Sequence, residues 1–391
     1  MELILTLLIG CVFGENISFI SDPGVYGPPL EIAHAYYQQW PTGIAVSSTG
    51  RMFSNYPGGL DPSNVYNGRN EVFAVGELTT LTSEVAYPSL EMNRPPGGAI
   101  NYSTIPPISV MSVMSTTDGV LLEAMYGGPK LVGVNLTTNT VFKTIVFPST
   151  VAYGDSYLND VRFDLRPNLS DSSGEGFAYI TDSSTSGHNA LIIVDLGSGE
   201  SWRHLGLTKS VRGESQFLPF IWGQPGYYTQ AKEPYSGLSI GSDGIALSAD
   251  GETLYWCPLA SRYMYSAPTA KLRARGEASE LLAQQSVMNN GQKGLSDGLE
   301  TDSNGLIYVG NNEGNAINMF NPSNGMVLTF LRDPRINWVD TMSVATDGYL
   351  YFTVNQLNFA ASTYPGIDRR VAPFALFKAK LPNGGSKVSS R

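Results

Sequence analysis

The chain has 391 residues and a formal charge of −10, so it offers no basic face to a nucleic acid. Its apolar share of 42% and aromatic share of 11% can build a large core and argue against a disordered chain. Two cysteines exclude a disulfide-built scaffold, and three histidines are too few and too scattered for a histidine-ligated metal centre.

The first block, Leu3 to Gly14, is apolar and too short to span a bilayer. Residues 1–14 read as a signal peptide cleaved after Gly14, although Glu2 stands where a positive charge is usual. The expected destination is the secretory pathway, the alternative being a buried N-terminal strand. Cleavage would remove Cys11 and leave Cys257 alone, in the strand pattern Leu254-Tyr255-Trp256-Cys257. A buried inert thiol is expected there. Sequons at Asn16, Asn101, Asn135 and Asn168 permit glycosylation without requiring it.

From Gly43 onward one unit recurs. Two short apolar runs flank a turn glycine at Gly50, Gly119, Gly176, Gly251, Gly305 and Gly348, at spacings of roughly 40 to 75 residues. The clearest copies carry Asp250-Gly251, Asn304-Gly305 and Asp347-Gly348, dipeptides that tolerate the positive φ of a tight hairpin. Further strand pairs follow the copies: Lys130 to Val134 with Val141 to Phe147, Ala190 to Asp195 with Ser201 to Leu205, and Ala316 to Phe320 with Met326 to Leu331. Hairpin plus hairpin makes a four-stranded antiparallel sheet. Six copies predict an all-β, six-bladed β-propeller around a central channel. It forms one domain over residues 15–381, followed by a flexible Gly/Ser/Lys-rich tail at 382–391. The best helical stretch is Ala278 to Gln285.

The fixed phase of the repeat identifies equivalent residues. Eight positions before five of the turn glycines stand Thr42, Met111, Asp243, Asp297 and Asp340. In the remaining copy, lengthened by Asn168 to Glu175, the matching residue is Asp160 in Asn159-Asp160-Val161. If this position opens the innermost strand, four carboxyls meet at one channel mouth. There they would cap neighbouring backbone, bind a cation such as Ca²⁺ through oxygen, or hold raised pKa values for acid–base work. A long insertion, Gly213 to Gly237, carries Trp222, Tyr227, Tyr228 and Tyr235 among other aromatics. It would wall a pocket or lie as a lid over strand edges. Asn355-Gln356-Leu357 supplies two amides that orient a ligand or satisfy loop backbone. The chain has no Gly-x-Ser-x-Gly elbow, no His-Glu-x-x-His, no phosphate loop and no Cys-x-x-Cys.

Several segments together resemble the yellow and major royal jelly protein family. They are Asn159 to Arg166, Ala178 to Ser183, Leu191 to Leu196 with Ser201-Trp202-Arg203, and Gly244 to Ser248. Leu254-Tyr255-Trp256, Ser296 to Leu299, Trp338 to Thr341 and Asn355-Gln356-Leu357 add to them. The likeness runs from about Trp40 to Leu381. It implies a six-bladed propeller with a ligand pocket at one channel mouth, in a usually secreted chain. Insect members are linked to melanin chemistry including dopachrome conversion, to amine binding and to nutrition. Their usual disulfides are missing here, which resembles a microbial, fungal branch. Some fungal proteins of similar look act in secondary metabolism as hetero-Diels–Alder enzymes, joining a tropolone-type quinone methide to a terpene.

The activity expected first is therefore pericyclase-like and cofactor-free, on an apolar or aromatic small molecule, with no nucleic-acid or membrane partner. Asp160, Asp340, Asn355 and Gln356 would be its catalytic polar groups. Trp222, Tyr227, Tyr228, Tyr235 and Trp338, with Asn159, Asp243 and Asp297, would bind the substrate. The alternatives are a dopachrome-type isomerase with Asp160 or Asp297 as base, a non-catalytic carrier, and a Ca²⁺-dependent lactonase-like hydrolase using the four aspartates. Thr42, in place of a glutamate in the first unit, counts against the last.

Overall fold

The computed structural model describes residues 24–93, 129–166, 168–229 and 235–388. The expected signal peptide, Cys11, Asn16 and Asn101 lie outside them. Within them, five antiparallel four-stranded sheets stand as blades. The first holds Ile44–Val46, Met52–Asn55, Val75–Leu78 and Glu84–Ala86. The second holds Leu158–Asp164, Phe177–Asp182, Ala190–Asp195 and Ser201–His204. The third holds Ser242–Leu247, Thr253–Pro258, Tyr263–Pro268 and Met288–Gln292. The fourth holds Leu299–Thr301, Ile307–Asn311, Ala316–Asn321 and Met326–Arg332. The fifth takes Val339–Val344, Tyr349–Val354 and Phe374–Lys380 and completes itself with Glu31–Tyr36 from the other end of the chain.

Among the described residues five blades, not six, are thus formed. The unit around Met111 and Gly119 falls in 94–128, outside the described residues. Among the described residues the two-stranded pair Lys130–Asn135 and Thr140–Val146 stands between the first and second blades.

Local chemistry explains the hairpins. The turn glycines Gly50, Gly176, Gly251, Gly305 and Gly348 all have φ between 77 and 83°. At the third blade's turn, the Asp250 carboxylate accepts from Ser248 Oγ (2.6 Å) and Glu252 N (3.0 Å), which fixes the reversal. The inner strands bury nearly every side chain, as in Phe177–Asp182 and Ser242–Leu247, whereas outer strands such as Met288–Gln292 and Met326–Arg332 stay largely exposed. Inter-blade clusters such as Phe177, Leu191, Ile245, Leu254 and Trp256 fill the wedges between sheets, each worth about 1.5–3 kcal/mol of burial. Cys257 is buried and unoxidised within the same strand as Trp256. The expected helix forms over Ser279–Gln285.

The innermost strands touch in order: second blade to third, third to fourth, fourth to fifth, and fifth to first. Closure is non-covalent. Glu31–Tyr36 pairs with Phe374–Lys380, and Ala35 N also donates to Leu81 O of the first blade (2.8 Å). Tyr36 hydroxyl meets Ser54 Oγ (2.6 Å), and His34 Nε2 meets Glu84 Oε1 (2.8 Å). Residues 382–388, expected as a free tail, are seated instead. Lys387 Nζ donates to Val46 O (3.0 Å), and Val388 is buried.

Candidate active site: a ring of buried carboxyls

Each innermost strand of the second, third and fifth blades is bulged where its aspartate sits. Pairing slips between Leu158 and Val161 around Asp160, between Ser242 and Ile245 around Asp243, and between Val339 and Met342 around Asp340. A bulge turns a side chain out of the regular alternation, here toward the shared hollow. Asp297 lies two residues before Leu299–Thr301. The glycine after two of these aspartates lets the neighbouring strand approach. A Cβ at Gly244 would lie 2.0 Å from Asp297 O, and one at Gly298 would lie 2.4 Å from Asp340 O. Gly298 N in turn donates to Asp340 O (2.7 Å). The Asp-Gly dipeptide therefore both supplies a carboxyl and narrows the ring.

The four carboxyls interact electrostatically with one another. Asp160, Asp243 and Asp297 are buried, and Asp340 is nearly so. Their partners are mostly neutral donors. Trp338 Nε1 donates to Asp297 Oδ2 (2.6 Å), Asn159 Nδ2 to Asp243 Oδ1 (2.6 Å), and Asn355 Nδ2 to Asp340 Oδ2 (2.7 Å). Asp160 Oδ2 is buried with no partner. Loss of water pushes all these carboxyls up, and like charges add to it, from the ring itself at Asp243, Asp297 and Asp340 and from Glu300 at Asp160. Burial raises Asp160 to about 6, with Arg162 opposing. Burial first and its fellow carboxyls second hold Asp243 and Asp340 well above the ordinary carboxylate range. Asp297 rises to about 7 for the same first reason, restrained by Trp338 and by a hydrogen bond to Asp243. The charge on each of Asp243, Asp297 and Asp340 therefore bears on the titration of its neighbours.

Trp338 holds this place at a conformational cost. Its φ of 65° is left-handed, which a bulky residue rarely adopts, and its ring is buried among Phe217, Ile221, Leu259 and Leu295. Tyr228 packs on the same cluster and faces Asp297 and Asp243. Part of the insertion therefore covers the mouth.

The rest of the expected aromatic wall is elsewhere. Trp222 is 47% exposed and meets Phe359 edge to face. Tyr227 stacks on Tyr235, and both pack against Tyr364 (ring centroids 6.4 and 5.4 Å). These three rings are drawn off because the insertion ties itself to the loop after the last blade, with Tyr364 N donating to Tyr227 O (2.9 Å). Gln356 also turns away. Its φ of 58° swings the side chain onto Val371, whose backbone it bonds through both amide atoms (2.9 Å each). Thr42 stays beside the first blade, bonded to Asn55 Oδ1 (2.8 Å).

Two groups at the ring gave no sequence signal. Tyr157 faces all four carboxyls, and burial before their charge holds its phenol protonated. Lys293 is buried, donates to Gly294 O (2.9 Å) and faces Cys257, Asp243 and Asp297. Burial lowers its ammonium and raises the Cys257 thiol. Neither Tyr157 nor Lys293 stands at a repeated position. Among the described residues no three His, Cys, Asp or Glu side chains group as ligands for a metal ion.

A family model for the major royal jelly protein matches residues 120–381. No curated protein matches the chain. Among solved structures, a luciferin-regenerating enzyme is 12% identical with a TM-score of 0.53, over 91% of this chain and 96% of its own. A calcium-binding regucalcin from Agrobacterium tumefaciens str. C58 is 12% identical (TM-score 0.45, 90% and 94% covered). A gluconolactonase from Xanthomonas campestris is also 12% identical (TM-score 0.43, 91% and 97% covered). At such identity the likeness concerns the fold.

Proposed function

The chain belongs to the major royal jelly protein family, and from that premise we propose that it is a cofactor-independent enzyme of small-molecule secondary metabolism, acting at the carboxyl ring. The specific reaction proposed is pericyclic: a reactive quinone methide and an apolar alkene joined by hetero-Diels–Alder addition. The observation that carries the reading is that Asp243, buried, and Asp340, nearly so, lie beside like groups, which holds both carboxyls well above the ordinary carboxylate range and favours their neutral form. A neutral carboxyl donates a hydrogen bond. Aimed at a carbonyl oxygen that gains charge in the transition state, it lowers the barrier more in a dry mouth than in water. Tyr228 and Trp338 give the apolar cover, and alignment of the two reactants supplies the rest.

A second reading has its own support. Asp160, raised to about 6 and with Oδ2 unpartnered, is poised as a general base for a dopachrome-type isomerisation. The test is direct. The purified chain is incubated with a quinone methide generated in situ and a humulene-type alkene, and in parallel with an aminochrome. One stereoisomer of adduct, formed faster than in the blank and lost in Asp340→Asn, supports the pericyclic reading. Aminochrome tautomerisation lost in Asp160→Asn favours the second. Saturable binding with no turnover of either would make the protein a carrier, and activity abolished by chelator would return it to the lactonase-like class.

A further inference from the structure

Each of the three histidines meets a carboxylate, and two of them are buried at seams between blades. His34 stands in the outermost strand of the fifth blade. It places Nδ1 2.8 Å from Thr80 O and Nε2 2.8 Å from Glu84 Oε1, both at the outer edge of the first blade. His204 stands in the outermost strand of the second blade. It places Nε2 3.1 Å from Ala274 O and Nδ1 2.8 Å from Glu280 Oε2, both between the two outer strands of the third blade.

Hydrogen-bond capacity fixes the protons. A backbone carbonyl only accepts, so the nitrogen facing Thr80 or Ala274 carries a hydrogen. The other nitrogen lies at hydrogen-bond distance from a carboxylate, which when ionised also only accepts. A neutral imidazole has one N–H and cannot serve two acceptors. Each pair therefore holds one proton more than a neutral imidazole beside a carboxylate, and that proton rests on the ring, the stronger base. Neighbouring charges are engaged elsewhere. Beside His34 stand the phenols Tyr36 (ring centroids 4.6 Å) and Tyr56, which faces Glu84, while Lys378 lies 3.7 Å from Glu31. Flanking Ala274, Arg273 pairs with Asp171 (2.7 Å), and Arg275 pairs with Glu200 (3.1 Å) and Asp195 (3.3 Å). Glu280 also accepts from Leu205 N (3.1 Å) and Gln284 Nε2 (2.7 Å).

We propose that His34 and His204 are proton-operated clamps between neighbouring blades. Protonated, each ring bridges a carbonyl and a carboxylate of the next blade. When pH rises and the proton passes to water, a bare nitrogen is left against a carboxylate and the seam loosens. The His34 seam is the one at which the ring of blades closes. Above the ordinary imidazole value of about 6.5, the fold holds one proton more per clamp than the unfolded chain does. The contribution is therefore complete below that pH and is lost as pH rises. The clamps act whichever reaction the carboxyl ring performs.

The experiment is urea unfolding of the full chain between pH 6 and 8.5, beside His34→Gln, His204→Gln and His188→Gln. Glutamine keeps a donor and does not titrate. His188 is the reference, because its side chain is 53% exposed and one nitrogen alone is held, Nδ1 on Asp155 Oδ2 (2.7 Å). The carboxyl ring is the same in all four proteins, so a difference in slope isolates the clamp. The folding constant of the parent should fall more steeply than that of His34→Gln or His204→Gln, by up to about tenfold per pH unit for each clamp. His188→Gln should follow the parent. In the parent itself, nitrogen-15 spectra at pH 7.5 should show two imidazoles with both nitrogens protonated and one with a bare nitrogen. A slope equal to the parent's in either buried-site variant removes that clamp, and a bare nitrogen on all three rings overturns both. The spectra need no substitution, so a folding failure of either variant leaves the decision intact.

Discussion

Asp160 is the most exposed to test of the ring residues, because its carboxyl is raised from 3.8 to about 6 by burial. The fold binds its proton more tightly than the unfolded chain does. Its contribution is therefore most favourable below pH 3.8, declines as pH rises, and reaches its full penalty above about 6. A shift of this size corresponds to about 3 kcal/mol. Asp160→Asn should then stabilise the protein at pH 7.5 by a large part of that amount and change little at acid pH, as read from urea unfolding at both pH values. A destabilised variant at pH 7.5 would show that the carboxylate is well compensated in the fold. Trp338→Phe tests the opposite kind of contact. It keeps most of the packing and removes the 2.6 Å bond to Asp297, leaving a buried carboxyl oxygen unpaired. The expected loss is about 1–3 kcal/mol, with Asp297 titrating higher in carboxyl-resolved NMR. At this scale the sequence was informative wherever the repeat phase reached. Asp160, Asp243, Asp297 and Asp340 share a phase, and Asn159, Trp338 and Asn355 adjoin their motifs. Lys293 and Tyr157 share none, since a single side chain entering from a loop leaves no periodic trace. Gln356 was misassigned because its left-handed backbone could not be read from its neighbours.

Among the elements, the turns were legible and the insertion was not. A hairpin turn is a local device, so Asp-Gly and Asn-Gly announce it. The insertion follows contacts made with residues more than a hundred positions away, such as Tyr227 with Tyr364, and composition alone cannot place its rings. The bulges were also hidden, since slippage against a partner strand is a property of the pair. Two glycines separate these effects experimentally. Gly305 needs its positive φ of 80° but has nothing within 4 Å of an added Cβ. Gly305→Ala should cost about 1 kcal/mol, the backbone term alone. Gly244 does not need a positive φ, yet its Cβ would strike Asp297 O at 2.0 Å. Gly244→Ala must push the third and fourth inner strands apart, so a loss well above 2 kcal/mol is expected, with altered titration of Asp243 and Asp297. Equal midpoints for the two variants in denaturant would contradict the close approach of these strands.

For the molecule as a whole, the question is what holds a ring shut without a covalent bond. The N-terminal strand was missed in the sequence because Glu31–Tyr36 is one isolated strand whose partner lies more than three hundred residues on. Its pairing with Phe374–Lys380 explains how the last sheet is completed. A second clasp lies inside the ring, and it joins stability to the site. Trp40 Nε1 donates to Asn355 O (2.7 Å), Thr353 Oγ1 to Thr42 O (2.6 Å), and Asn355 Nδ2 to both Pro41 O (3.1 Å) and Asp340 Oδ2 (2.7 Å). Asn355 is fully buried, so its amide serves the seam between first and last blades and the carboxyl ring together. Asn355→Leu keeps the volume and strips the amide. Pro41 O and Asp340 Oδ2 then lose a donor, at a cost of about 2–4 kcal/mol for the two. Because each sheet keeps its own hydrogen bonds, the opening should be local. Amide exchange should quicken in 31–46 and 374–380, while the strands Ala190–Asp195 and Thr253–Pro258 keep their protection. Uniform quickening across all blades would mean that the ring opens only by unfolding entirely, and that the seam between its ends is no weaker than any other junction.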